Sequence, residues 1–73
     1  MLNTVPYIGP RLRGLRTERL MSQRDLAEKA ELSPTTIAKI ETNRVEPNFG
    51  TLRKLCRALE VEASELLRRP SGS

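Results

Sequence analysis

The stretch whose reading decides the fold is Ser22-Gln23-Arg24-Asp25-Leu26-Ala27-Glu28-Lys29-Ala30-Glu31-Leu32-Ser33-Pro34-Thr35-Thr36-Ile37-Ala38-Lys39-Ile40-Glu41. Ser22 is a good helix N-cap, and Asp25 three residues on completes a capping-box-like pair. That predicts a helix over Gln23–Ala30 with Leu26, Ala27 and Ala30 facing inward. Glu31 and Leu32 make a short turn. Ser33 then caps again, and Pro34 takes the first helical position, where its missing N–H costs nothing. The next helix is expected from Pro34 to Thr42, with Ile37 and Ile40 inward and Asn43 as a left-handed stop.

On the C-terminal side, Arg44 to Pro47 reads as a loop. Asn48 or Thr51 caps a helix running to about Leu59, whose apolar stripe is Phe49, Leu52, Leu55, Cys56 and Leu59. Val61, Ala63, Leu66 and Leu67 mark a short last helix. Residues 68–73, with Pro70 and Gly72, read as a flexible, frayed tail. On the N-terminal side, residues 1–10 hold Pro6, Gly9 and Pro10 among Val5, Tyr7 and Ile8, and read as an extension without regular structure. The first helix is then expected from about Arg11 to Leu20 or Met21, with Leu12, Leu15 and Leu20 inward.

Composition bounds what such a chain does. In 73 residues there are 13 Lys+Arg, 9 Asp+Glu and no His, for a net charge of +4. A single Cys permits neither an intrachain disulfide nor a Cys-based zinc site, and without His there is no imidazole metal ligand or general base. No metal and no cofactor are expected. Ser22, Ser33 and Ser64 lack a base beside them, and no Gly-rich phosphate loop is present, so no enzyme is expected. Cys56 reads as a core residue. No run approaches the roughly 20 apolar residues of a membrane span. The start of the chain lacks a signal-peptide pattern. The expectation is a cytoplasmic protein without a membrane partner.

Two short helices joined by a turn of about three residues form the helix-turn-helix layout, whose second helix enters the DNA major groove. Ala27 supplies the small residue where the helices cross. Ser22 to Ala30, Leu32-Ser33 and Thr36 to Glu41 together resemble the Cro/C1-type (XRE) helix-turn-helix family, which includes the phage lambda repressor and Cro proteins. The resemblance continues through Pro47, Leu52 and Ala58-Leu59 to Leu66-Leu67, and reaches back to Leu12, Leu15 and Arg16. It covers about residues 11–67. It implies an all-α, compact five-helix lambda-repressor-like domain over 11–67 that binds double-stranded operator DNA, usually as a homodimer.

The resemblance assigns roles residue by residue. Thr35 and Lys39 match positions that read base edges, with Pro34 and Thr36 beside them; Lys donates to guanine O6 and N7, and a Thr methyl meets a thymine methyl. Gln23 matches a position that holds a DNA phosphate and steadies the recognition helix. Ser22 and Arg24 share that helix start, where unpaired N–H groups favour an anion. Asn43 and Arg44 follow the recognition helix, where the family contacts the DNA backbone. Arg16 and Glu41 match a structural pair that locks the recognition helix to the scaffold; a rival reading places Arg16 in a DNA-facing strip with Arg11 and Arg13.

The family often has Gly where this chain has Leu20, Glu31 and Glu60. Such positions take positive φ, at about 1–2 kcal/mol for other residues, so these turns are expected to be strained or altered. The function implied is that of a transcriptional regulator, a repressor reading an inverted repeat. The alternative is a protein-interaction module, such as an antitoxin or coactivator adaptor, with a toxin or polymerase as partner.

Overall fold

A computed structural model describes residues 8–67. Among them are five helices and no strand: α1 (Ile8–Glu18), α2 (Gln23–Ala30), α3 (Pro34–Glu41), α4 (Phe49–Leu59) and α5 (Ala63–Leu66). The all-α, five-helix architecture is that expected. The readings made for Val5, Tyr7 and the tail from Arg68 lie outside the described residues.

One aliphatic core holds the helices. Leu12, Leu26, Ile37, Ile40, Leu55, Leu59 and Leu66 are its largest fully enclosed side chains. Every helix contributes at least one of them, so none buries its apolar face unless the others are in place. α2 packs against both α3 and α4, and α1 against both α3 and α5. Ala27, buried where α2 meets α3, admits the close crossing of the motif.

Helices α1 to α4 all end in the same way. In each, a residue just past the helix donates its N–H five residues back: Met21 to Arg16, Leu32 to Ala27, Arg44 to Lys39 and Val61 to Cys56. The residue before it adopts the left-handed conformation, with φ of 57° at Leu20, 61° at Glu31, 61° at Asn43 and 60° at Glu60. These are Schellman endings, which normally recruit Gly. Met21, Leu32 and Val61 then pack on the core. The fourth equivalent residue, Arg44, is polar and exposed.

Three sequence expectations are corrected. α1 begins at Ile8 rather than near Arg11, because Pro10 falls within the first turn, where backbone N–H groups need no partner. Gly9 lies inside that turn, pressed against the end of α3. A Cβ there would meet the Glu41 carbonyl oxygen at 2.5 Å, Asn43 Oδ1 at 2.6 Å and the Ile40 carbonyl at 2.7 Å. α1 stops at Glu18, and Leu20, expected inward, is 92% exposed because its left-handed turn swings the side chain out. Phe49, expected on the apolar stripe of α4, is 75% exposed at the first helical position, one turn ahead of the buried part of that stripe.

Candidate nucleic-acid interface

The α2–turn–α3 unit is held locally by its caps. Asp25 N–H donates to Ser22 Oγ and Ser22 N–H to Asp25 Oδ2, both at 2.9 Å. The Ser22 backbone N–H, followed by its hydroxyl, holds the Asp25 carboxyl below the usual carboxylate range. Thr36 N–H donates to Ser33 Oγ at 3.1 Å, and the two hydroxyls lie 2.9 Å apart. Thr36 is half-buried and its hydroxyl turns back into the cap, whereas Pro34, Thr35 and Lys39 are exposed on the outer face of α3.

The inner face of α3 is tied down by charge. Glu41, its side chain 3% exposed, accepts from Arg16 Nε at 2.7 Å and Arg16 Nη2 at 3.0 Å. Gln23 Nε2 donates to the same carboxylate at 3.1 Å, and Arg16 Nη1 donates to the Met21 carbonyl at 2.8 Å. The hydrogen bond to Glu41 raises the Arg16 pKa against the opposing effect of burial. One carboxylate thus joins α1, the α1–α2 turn, the first residue of α2 and the last residue of α3. No buried side-chain polar atom among the described residues lacks a partner, the condition under which a buried ion pair is tolerable.

This network brings the start of α2 beside the end of α3. Ser22 and Arg24 are exposed there, and Gln23 is half-buried with its amide nitrogen directed at Glu41. The loop after α3 folds back on it, with Arg44 N–H on the Lys39 carbonyl at 2.8 Å, leaving Asn43 and Arg44 exposed. Lys39, Arg44, Arg24 and the first amides of α2 therefore flank one end of α3.

Other cations are tied to acceptors of the fold itself. Arg11 Nη2 pairs with Glu65 Oε2 at 2.7 Å, and its Nε donates to the Glu65 carbonyl at 3.0 Å. Arg19 donates to the carbonyls of Leu59 at 2.9 Å and Leu15 at 3.1 Å, closing the ends of α4 and α1 together. The strip of Arg11, Arg13 and Arg16 is thus divided: Arg11 and Arg16 are spent on internal carboxylates, and Arg13 is exposed. The Arg11 clamp spans 54 positions and the Arg19 clamp 40, so no local spacing could have announced either. The Gly9 contact was equally silent, since the sequence placed Gly9 in the extension before the first helix.

A buried, tethered inner face and an exposed polar outer face on the second helix define a helix-turn-helix regulator domain. The comparisons place it more narrowly. The helix-turn-helix family pattern matches residues 12–66, and the chain belongs to this Cro/C1-type family, one of DNA-binding transcription regulators rather than enzymes. It is similar to the immunity repressor protein of Bacillus phage phi105, at 38% identity over 60 residues, covering 82% of this chain and 42% of the relative. It is also similar to multiprotein-bridging factor 1 of Saccharomyces cerevisiae, at 42% identity over 57 residues, covering 78% of this chain and 38% of that protein. The chain thus spans about two fifths of the length of these curated relatives. Among solved structures, the restriction-modification controller protein C.AhdI from Aeromonas hydrophila superposes with a TM-score of 0.82 at 32% identity, covering 85% of this chain and 94% of that one. No described helix is long and apolar enough to cross a membrane.

Proposed function

We propose that this chain is a sequence-specific repressor that reads a major-groove half-site with α3 and binds an inverted repeat as a homodimer. The observation that carries the reading is the two-sidedness of α3. Thr35 and Lys39 stand exposed on its outer face, while Arg16, Glu41 and Gln23 fix the opposite face to α1 and α2. A reading helix must be held rigidly, because base discrimination depends on donors placed within hydrogen-bond distance. Lys39 donates to guanine O6 or N7, and Thr35 with Pro34 and Thr36 shapes the contact at the start of the helix. Ser22, Gln23, Arg24, Asn43 and Arg44 engage phosphates on either side and set register and salt dependence. Repression follows from occupancy, since a bound dimer blocks polymerase. Half-sites about one helical turn apart, roughly 34–36 Å, suit two-fold symmetry.

Selection from a pool of random duplex DNA at near-physiological salt tests the reading. An enriched inverted repeat is the expected result. Binding without enrichment that fades as salt rises would reduce the protein to a basic surface. On the selected site, Lys39→Ala is expected to weaken binding by about 1–3 kcal/mol and relax preference at one position; an unchanged preference overturns the Lys39 assignment. The similarity to multiprotein-bridging factor 1 favours a second reading, an adaptor that holds a protein partner on this fold. It predicts capture of a partner by a chain whose Lys39→Ala variant still captures it.

A further inference from the structure

The inner face of α3 is Ile37, Ile40 and Glu41, all buried. At about 100° per residue the positions opposite them are Thr35, Lys39 and Thr42, spaced i, i+4 and i+7. All three are exposed. Thr42 thus extends the stripe of Thr35 and Lys39 by one further position. It is the C-cap of α3, and its side chain is fixed by its own helix. Thr42 Oγ1 donates to the Ala38 carbonyl at 2.9 Å, with the Lys39 carbonyl at 3.4 Å. Its backbone N–H donates to the same Ala38 carbonyl at 3.1 Å. A hydroxyl carries one hydrogen, and here a helix carbonyl takes it. Thr42 therefore has no proton for a phosphate oxygen, which only accepts. What it has left to present is its γ-methyl and an oxygen lone pair. The fold makes no use of that methyl: Thr42 lies outside the aliphatic core, and Thr is among the weaker helix formers.

We infer that Thr42 is a specificity-determining residue of α3, whose γ-methyl packs on the 5-methyl group of a thymine. The inference rests on the reading of α3 as the helix that enters the major groove. The thymine methyl is the apolar group that a base pair presents in that groove, so an outward methyl with no proton to give selects it. Thr42 lies three residues beyond Lys39, about 4.5 Å of helix rise, against about 3.4 Å between successive base pairs. The thymine therefore belongs within about one or two base steps of the guanine that Lys39 meets. Two hydrogen bonds to one carbonyl hold Thr42 in place before DNA arrives, so little side-chain freedom is lost on contact. The backbone beyond it is closed as well, since the N–H groups of Arg44 and Val45 both reach the Lys39 carbonyl, at 2.8 and 3.4 Å.

The test is a cycle of variants on both sides of the contact, using the duplex recovered by selection. Each thymine of the half-site is replaced in turn by uracil, which removes only the 5-methyl. At one position the wild type should bind about three- to fivefold more weakly, the worth of one buried methyl-sized group. Thr42→Val keeps the methyl and loses the hydroxyl; it should bind like the wild type and show the same uracil penalty. Thr42→Ser keeps the hydroxyl and loses the methyl. It should bind the thymine site about three- to fivefold more weakly and show no further loss at that uracil, so the two changes are not additive. Thr42 is exposed, so both variants should keep the wild-type thermal transition. An equal uracil penalty for the wild type and Thr42→Ser at every position would overturn the inference, because another residue would then read the methyl. So would weaker binding by Thr42→Val with Thr42→Ser unchanged, which would assign the contact to the hydroxyl. The two readings fail separately. A selected site whose preference relaxes with Lys39→Ala, but whose Thr42 cycle is additive, overturns the Thr42 inference alone; a pool with no enriched site overturns both.

Discussion

Leu20, Glu31 and Glu60 carry the same local cost. Each holds positive φ without being Gly. Asn43 holds the same conformation, but Asn tolerates it through its short polar side chain. Changing Leu20, Glu31 or Glu60 to Gly is therefore expected to stabilise the domain by about 1 kcal/mol at each site, net of the extra freedom of the unfolded chain. The gains should add, because the three turns share no partner; thermal unfolding of single and triple variants checks this. Asp25 sets a pH dependence of known sign. Its carboxyl titrates below the unfolded value, so its share of stability is present above the ordinary carboxylate range and is lost as pH falls through the folded value. Asp25→Asn should flatten that part of the acid limb in a stability-against-pH series, and equal acid sensitivity in both proteins would remove Asp25 from the account.

At the scale of the element, α3 is a short helix that owes its place to neighbours. A helix of two turns is marginal by itself, and the outer face of α3 contributes little burial. Its position comes from Ile37 and Ile40 in the core and from Glu41 at its end. Removing Arg16, as in Arg16→Met, leaves a carboxylate that is 3% exposed without its ion partner, at a cost of about 3–5 kcal/mol. Glu41→Gln should cost less than Arg16→Met, because the amide still accepts a hydrogen bond and leaves no buried negative charge. Comparing chemical denaturation of the two variants checks the order. Gly9→Ala addresses the same end of α3 from the other side. The new methyl would meet two backbone carbonyls that cannot retract, at 2.5 and 2.7 Å, so α1 must move away from α3 at a cost of about 1–3 kcal/mol. An unchanged melting temperature would show that the contact relaxes freely.

Across the whole molecule, the net charge of +4 misleads if it is spread evenly over the surface. Arg11, Arg16 and Arg19 are bound to internal acceptors. The groove between the end of α1 and the α4–α5 region is lined by Glu18, Glu60, Glu62 and Glu65 around Arg19, and no residue of α3 enters it. The cations left around α3 are few, which makes their individual effects measurable. Arg24→Ala and Arg44→Ala are each expected to lower the slope of log affinity against log salt by about 1 with little change in preference. Arg19→Ala should instead lower the melting temperature and leave that slope alone, because it frees two helix-end carbonyls and touches no phosphate. A reduced slope for Arg19→Ala would return it to the DNA-facing set.

The caps, the two short helices and the break between them could be read from Ser22 to Glu41 because each rests on contacts within four residues. Ser22 with Asp25, Ser33 with Thr36, and Pro34 in a first turn are local events, and the aliphatic spacing that marks the core is local too. The resemblance to the family also marked Leu20, Glu31 and Glu60 as positions of positive φ, since a turn dictates its backbone whatever residue occupies it. Tertiary structure alone decided which cations are free. Arg11 and Arg13 look alike in sequence, yet one is clamped to Glu65 and the other is exposed, because only the packing of α1 on α5 brings a carboxylate within reach. It also decided the role of Gly9, whose missing side chain admits the end of α3, and the outward fate of Leu20 and Phe49. Periodicity places a residue on a face of its own helix. Whether that face is covered depends on another helix arriving from far along the chain.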